Sequence, residues 1–211
     1  MSRKTSCIKG LYAITPDCAD SADLLRRARL ALAGGAQMLQ YRDKSAHAGM
    51  RLGRAQALRE LTREFGVTFI VNDDIQLALQ AEADGVHLGV LDDDLSAARE
   101  VLGIDKIIGI SCYNRLSLAR YAAHAGADYV AFGAFFASAI KPDAAMADIS
   151  LLQQARAELD LPLVAIGGIN PRNGAALVQA GADALAVISA LFNAADITAA
   201  AQDFSKLFIQ N

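Results

Sequence analysis

One short phrase recurs four times along the chain and constrains the fold more than any other feature. Ala33-Gly34-Gly35-Ala36 precedes Met38-Leu39-Gln40, and Ala83-Asp84-Gly85 precedes Val86-His87-Leu88. Ala125-Gly126-Ala127-Asp128 precedes Tyr129-Val130-Ala131, and Ala180-Gly181-Ala182-Asp183 precedes Ala184-Leu185-Ala186. Each glycine suits the end of a helix, where the backbone turns left-handed at little cost. The apolar residues that follow at once read as a buried strand. Helix, glycine and strand repeated through a chain mean repeated βα units.

Eight strands are expected, near residues 8–14, 37–41, 67–71, 85–88, 107–110, 128–133, 163–166 and 184–188. Helical patterns lie between them, as over Ala22 to Leu32, Met50 to Phe65 and Leu118 to His124. Several strands are continuous apolar runs, which suits parallel strands covered on both faces. Eight strands alternating with helices predict an α/β chain of one domain over residues 1–211, a (β/α)8 TIM barrel. The competing fold is an open doubly wound sheet, which normally has a glycine-rich first βα turn. Here that turn is Ile14-Thr15-Pro16-Asp17, without glycine.

The balance of charges narrows the partners. Net charge is -3 and no basic run appears, which argues against nucleic acid. Any phosphate must therefore be held by local placement of donors. Cys7, Cys18 and Cys112 are odd in number, match no metal-ligand spacing and read as small apolar residues of a reducing compartment. Neither a signal-peptide apolar region nor a membrane-length apolar run is evident. A cytoplasmic protein without membrane association is expected, and a homo-oligomer is left open.

Barrels of this kind place their active sites at the C-terminal strand ends. Polar residues after each strand should then form one coherent chemical set. In Gln40-Tyr41-Arg42-Asp43-Lys44, period two points Gln40, Arg42 and Lys44 to one side and Tyr41 and Asp43 to the other. An amide and two cations suit an anion attached to a hydrogen-bonding ring; a solvated strand end is the other reading. After strand 3 comes Asn72-Asp73-Asp74, and after strand 4 Asp92-Asp93-Asp94. Asp74, Asp93 and Asp94 read as helix caps. Asp73 and Asp92 are the candidates for a shared magnesium ion, with capping as the competing role.

Ser111 follows Gly109-Ile110 and suits either a phosphate oxygen or a helix cap. Strand 6 leads into a long loop that contains Lys141, and long βα loops are often functional. Gly167-Gly168-Ile169-Asn170-Pro171 combines two glycines with an N-cap and a first-turn proline. Ile188-Ser189-Ala190 opens another helix. Loops 7 and 8 are a recurrent phosphate site of the fold.

Taken together, these stretches, with Val71-Asn72-Asp73, Gly85-Val86-His87-Leu88-Gly89 and Ala165-Ile166-Gly167-Gly168-Ile169, resemble the thiamine-phosphate synthase family from about Leu11 to Phe192. That family joins a hydroxymethylpyrimidine diphosphate to a thiazole phosphate and releases pyrophosphate. The resemblance implies a pyrimidine diphosphate site over Gln40, Tyr41, Arg42, Asp43, Lys44, Asn72, Ser111 and Lys141. Of these, Arg42, Lys44, Ser111 and Lys141 are the catalytic candidates. It implies Mg2+ on Asp73 and Asp92, and a thiazole phosphate site over Ser138, Ala139, Ile140, Gly168, Ile188 and Ser189. His87 belongs to the motif, with a structural role expected: a strand histidine holding a hydrogen-bond partner.

The strand 6 loop departs from the family pattern. Ala137 and Ala139 stand where prolines are usual, and Ile140 where a threonine is expected. Two alternatives remain: a thiazole tautomerase-like isomerase on the same barrel, and a phosphate-binding paralogue that has lost catalysis. Retention of Arg42, Lys44, Asn72, Asp73, Asp92 and Lys141 favours the transferase.

Overall fold

The computed structural model describes residues 5–44, 48–89, 95–137 and 145–209. Strands β1 (Gly10–Ile14), β2 (Met38–Tyr41), β3 (Thr68–Asn72), β4 (Gly85–Leu88), β5 (Ile107–Tyr113), β6 (Tyr129–Phe132), β7 (Leu163–Ile166) and β8 (Ala184–Val187) pair in parallel and in chain order. Pairing of β8 with β1 closes the ring, so this is the expected (β/α)8 barrel. Helices cover its outside: α1 (Ser21–Ala33), α2 (Ala48–Phe65), α3 (Ile75–Gln80), α4 (Leu95–Leu102) and α5 (Leu116–His124). They continue with α6 (Ser150–Glu158), α7 (Pro171–Gln179), α8 (Ser189–Phe192) and α9 (Ile197–Lys206).

Alternation along each strand divides the apolar residues between two cores. Tyr12, Met38, Ile70, Ile107, Tyr129 and Val164 fill the barrel. Leu11, Leu39, Phe69, Val86, Ile108, Val130 and Leu185 face outward against the helices. That double burial explains why the strands read as unbroken apolar runs. Cys112 sits in the outer core, where burial pushes its thiol up to about 12, so it packs rather than reacts.

The recurring phrase has two physical causes. Gly35, Gly126 and Gly181 take the left-handed turn after their helices, with φ of 101°, 88° and 110°. Gly85 does not: it lies inside β4, and Glu82 makes the left-handed turn at φ 51°. Gly85 is required for another reason, since a Cβ there would strike the backbone of Ile107 in β5.

The aspartates of the phrase are the second cause. Asp84 accepts from Phe69 N, Asp128 from Ile108 N and Asp183 from Leu163 N, at 2.7–2.8 Å. Each also pairs with an arginine of an even-numbered helix: Arg59 of α2, Arg99 of α4 and Arg156 of α6. The first repeat has Gln37 instead, whose side chain fills the space beside Gly10 that a Cβ would need. These clamps sit at the N-terminal ends of the strands. A depression of about 540 Å³ opens there too, but Arg59 is committed to Asp84, and Arg63 to Glu60 and Glu82.

Candidate functional site at the C-terminal rim

Parallel closure puts every strand's C-terminal end at one mouth of the barrel. Gln40, Arg42, Lys44, Asn72, Asp73, Ser111, Gly168, Ile188 and Ser189 therefore lie at or next to that mouth. Asp92, Ser138, Ala139, Ile140 and Lys141 lie outside the described residues, as do Asp93 and Asp94.

The stretch after β2 is anchored on both sides. Thr15 accepts from Arg42 N and donates to Arg42 O, each at 2.9 Å. Asp17 accepts from Lys44 N at 2.8 Å and faces the Arg42 guanidinium at 3.4 Å. Tyr41 and Asp43 turn the other way, as period two requires: Tyr41 packs in the outer core and its hydroxyl donates to Asp43 at 3.3 Å. Asp43 meets Arg54 at 2.6 Å, with only 1% and 2% of the two side chains exposed. Arg54 also donates to Cys18 O, Ala19 O and Ser21 Oγ, tying the β1 and β2 loops to α2. Arg54 is not legible as a site residue in the sequence, because an arginine inside an amphipathic helix carries no local sign of burial.

At β3, Asp74 caps α3 by accepting from Leu77 N, as expected. Asp73 is exposed and held at φ 64°, a region that L side chains seldom enter. Its backbone N–H donates to His87 O, and its carboxylate accepts from the Asn72 amide at 2.7 Å. An exposed carboxylate held in strained backbone at the rim fits a magnesium ion that keeps waters and takes phosphate oxygens. Among the described residues no three His, Cys, Asp or Glu side chains cluster as a metal site.

Ser111 differs from expectation. β5 runs on to Tyr113 through an irregularity between Ser111 and Tyr113, so Ser111 lies within the strand rather than after it. It caps no helix, since the N-cap of α5 is Arg115. Its Oγ meets His87 Nε2 at 2.9 Å, while His87 Nδ1 meets Tyr129 OH at 2.9 Å. His87 thus has the structural partners anticipated for it.

Burial lowers the His87 pKa from 6.5 to about 4. Between those values the unfolded chain binds a proton that the native chain does not, so stability falls as pH drops through that window. The full loss is about 3 kcal/mol. Urea unfolding at pH 7 and pH 4.5 should show most of it, about 2 kcal/mol, and the wild-type-minus-His87→Asn difference should isolate it. An equal acid loss in both proteins would refute it.

Loops 6 and 7 meet through Phe135 N to Ile166 O and Phe136 N to Gly167 O. Gly168, at φ 61°, has the carbonyl oxygens of Phe136 and Ala137 where a Cβ would sit, at 2.5–2.6 Å. Asn170 caps α7 in a reciprocal box with Asn173, and Pro171 occupies the first turn. Ile188 and Ser189 open α8, as predicted.

The thiamine monophosphate synthase family matches residues 11–191. The chain belongs to that family. A thiamine-phosphate synthase of Methylobacillus flagellatus is 57% identical over 201 residues, covering 95% of this chain and 96% of that protein. One of Chromobacterium violaceum is 55% identical, covering 95% and 97%. Among solved structures, thiamine phosphate pyrophosphorylase from Pyrococcus furiosus is 34% identical, covers 98% of both chains and has a TM-score of 0.88. Membership makes the chain an enzyme of the transferase class, matched along nearly its whole length. Among the described residues no helix is long and apolar enough to cross a membrane.

Proposed function

We propose that this enzyme joins an aminopyrimidine diphosphate to a thiazole phosphate, giving thiamine phosphate and pyrophosphate. The observation carrying this reading is the family match over residues 11–191, on a barrel with Gln40, Arg42, Lys44, Asn72, Asp73 and Ser111 at or next to one mouth.

In this reading the Arg42 and Lys44 cations, with Lys141, hold the diphosphate oxygens and favour their growing charge as the carbon–oxygen bond breaks. The bonding pair leaves with pyrophosphate, and the amino-substituted ring stabilises the benzyl-like cation that remains. The thiazole nitrogen then supplies the electron pair of the new carbon–nitrogen bond, so no protein nucleophile is required. Gln40, Asn72 and Ser111 orient the pyrimidine. Gly168, Ile188 and Ser189, with Ser138, Ala139 and Ile140, hold the thiazole phosphate. Asp73 and Asp92 would hold magnesium, which when bound supplies positive charge against the leaving group. An isomerase would need a proton-shuttling base at the mouth. His87 does not fit that need, with both ring nitrogens engaged inside the barrel.

The purified enzyme, given both substrates and magnesium, should form thiamine phosphate and pyrophosphate in equal amounts. Rearranged thiazole phosphate alone, or binding without turnover, would overturn the proposal.

A further inference from the structure

Below the mouth, five side chains form an unbroken hydrogen-bonded line across the barrel interior. Gln40 Nε2 donates to Tyr12 OH at 2.8 Å, and Tyr12 OH meets Tyr129 OH at 3.0 Å. Tyr129 OH meets His87 Nδ1, and His87 Nε2 meets Ser111 Oγ, both at 2.9 Å. Tyr12 and Tyr129 are 1% and 0% exposed, so water cannot stand in for a missing partner. The line is built into the packing. The Tyr129 ring occupies the place where a side chain at Gly109 would begin, and it stacks on His87 with centroids 5.5 Å apart.

Each hydroxyl has one proton to donate, so the sense of one bond sets the next. Tyr12 accepts from the Gln40 amide nitrogen and must spend its own proton on Tyr129. Tyr129 then donates to His87 Nδ1, which places the imidazole proton on Nε2. His87 donates to Ser111, whose own proton is left for the mouth. The opposite sense between the tyrosines would strand the Tyr12 hydroxyl proton in the core, a cost of about 1–3 kcal/mol. At the other end Gln40 Oε1 accepts no hydrogen bond among the described residues.

We propose that Tyr12, Tyr129 and His87 are positioning residues that lock Gln40 Oε1 as an acceptor and the Ser111 hydroxyl as a donor. The two ends are coupled in opposite senses. They suit a ring that offers an N–H donor beside a ring-nitrogen acceptor, as an aminopyrimidine does. The oxo analogue of the same ring offers the inverse pair and meets a mismatch at both ends. This selection rests on the proposed function, because it takes Gln40 and Ser111 to be pyrimidine contacts.

Two measurements separate the claims. Nitrogen NMR of isotope-labelled wild-type protein without ligand should show His87 as the Nε2–H tautomer; the Nδ1–H tautomer would overturn the line's direction whatever the enzyme does. Calorimetry should then compare the aminopyrimidine diphosphate with its oxo analogue, in wild type, Tyr129→Phe and Tyr12→Phe. Each variant removes one hydroxyl and keeps the ring. Loss of one well-placed hydrogen bond should weaken aminopyrimidine binding about tenfold. The preference for amino over oxo should fall by at least as much, with the thiazole phosphate KM unchanged. A wild type that binds both rings equally, or a folded Tyr→Phe variant that keeps the preference, would overturn the selection. A wild type that binds neither would overturn the functional reading, and the selection with it, while leaving the tautomer result standing.

Discussion

Arg54→Ala should unfold with about 3–5 kcal/mol less free energy than wild type, the largest stability loss expected of an exchange at the mouth. Its guanidinium is the cationic partner of a carboxylate, Asp43, that is itself almost wholly out of water. Truncation removes that partner and also strips two backbone carbonyls and the Ser21 hydroxyl of their donors. Water cannot replace these bonds without opening the loops that carry Arg42 and Lys44. For a chain of this size the loss corresponds to a melting temperature lower by roughly 6–20 °C. Arg54→Met combined with Asp43→Leu should recover part of it, because the uncompensated buried charge goes as well. A loss below about 1 kcal/mol on denaturant unfolding would mean that the pair is far better hydrated than its burial indicates.

Asp73→Ala should lower turnover about a hundredfold, the usual size of the effect when one preorganised electrostatic contact is lost. The magnesium requirement should rise with it. Asp73→Asn tests charge against shape, since asparagine tolerates the left-handed backbone and keeps the side chain's size. It should be nearly as slow as alanine. Asp73→Gly should be equally slow yet no less stable, because glycine relieves the strain at φ 64°. Together these outcomes would mark a residue kept at some cost to the fold for its chemistry. Unchanged turnover and unchanged magnesium dependence in Asp73→Asn would remove Asp73 from the site.

Much of the mouth was legible in the sequence, because strand-end residues advertise themselves. Asn170 and Pro171 read as the start of a helix and form one. Asp74 read as a cap and is one. Ser111 was misplaced relative to its strand because an irregularity extends β5, and nothing in Ser111-Cys112-Tyr113 signals it. The Gly85 reading failed differently. A glycine after a helix normally serves the turn, but here the neighbouring strand's approach claimed it.

Sequence alone determined the order of strands and helices, their closure into a barrel and the residues that flank each strand end. It could do so because period, capping and turn chemistry act between near neighbours in the chain. Tertiary structure alone decided which of those residues hold one another: Arg54 with Asp43, the arginine clamps on Asp84, Asp128 and Asp183, and the line from Gln40 to Ser111. Those partners are from 11 to 117 residues apart. The line meets because closing the ring turns one face of every strand inward, and the arginine pairs meet because the helices pack back onto the strands; no local pattern records which side chains will then touch.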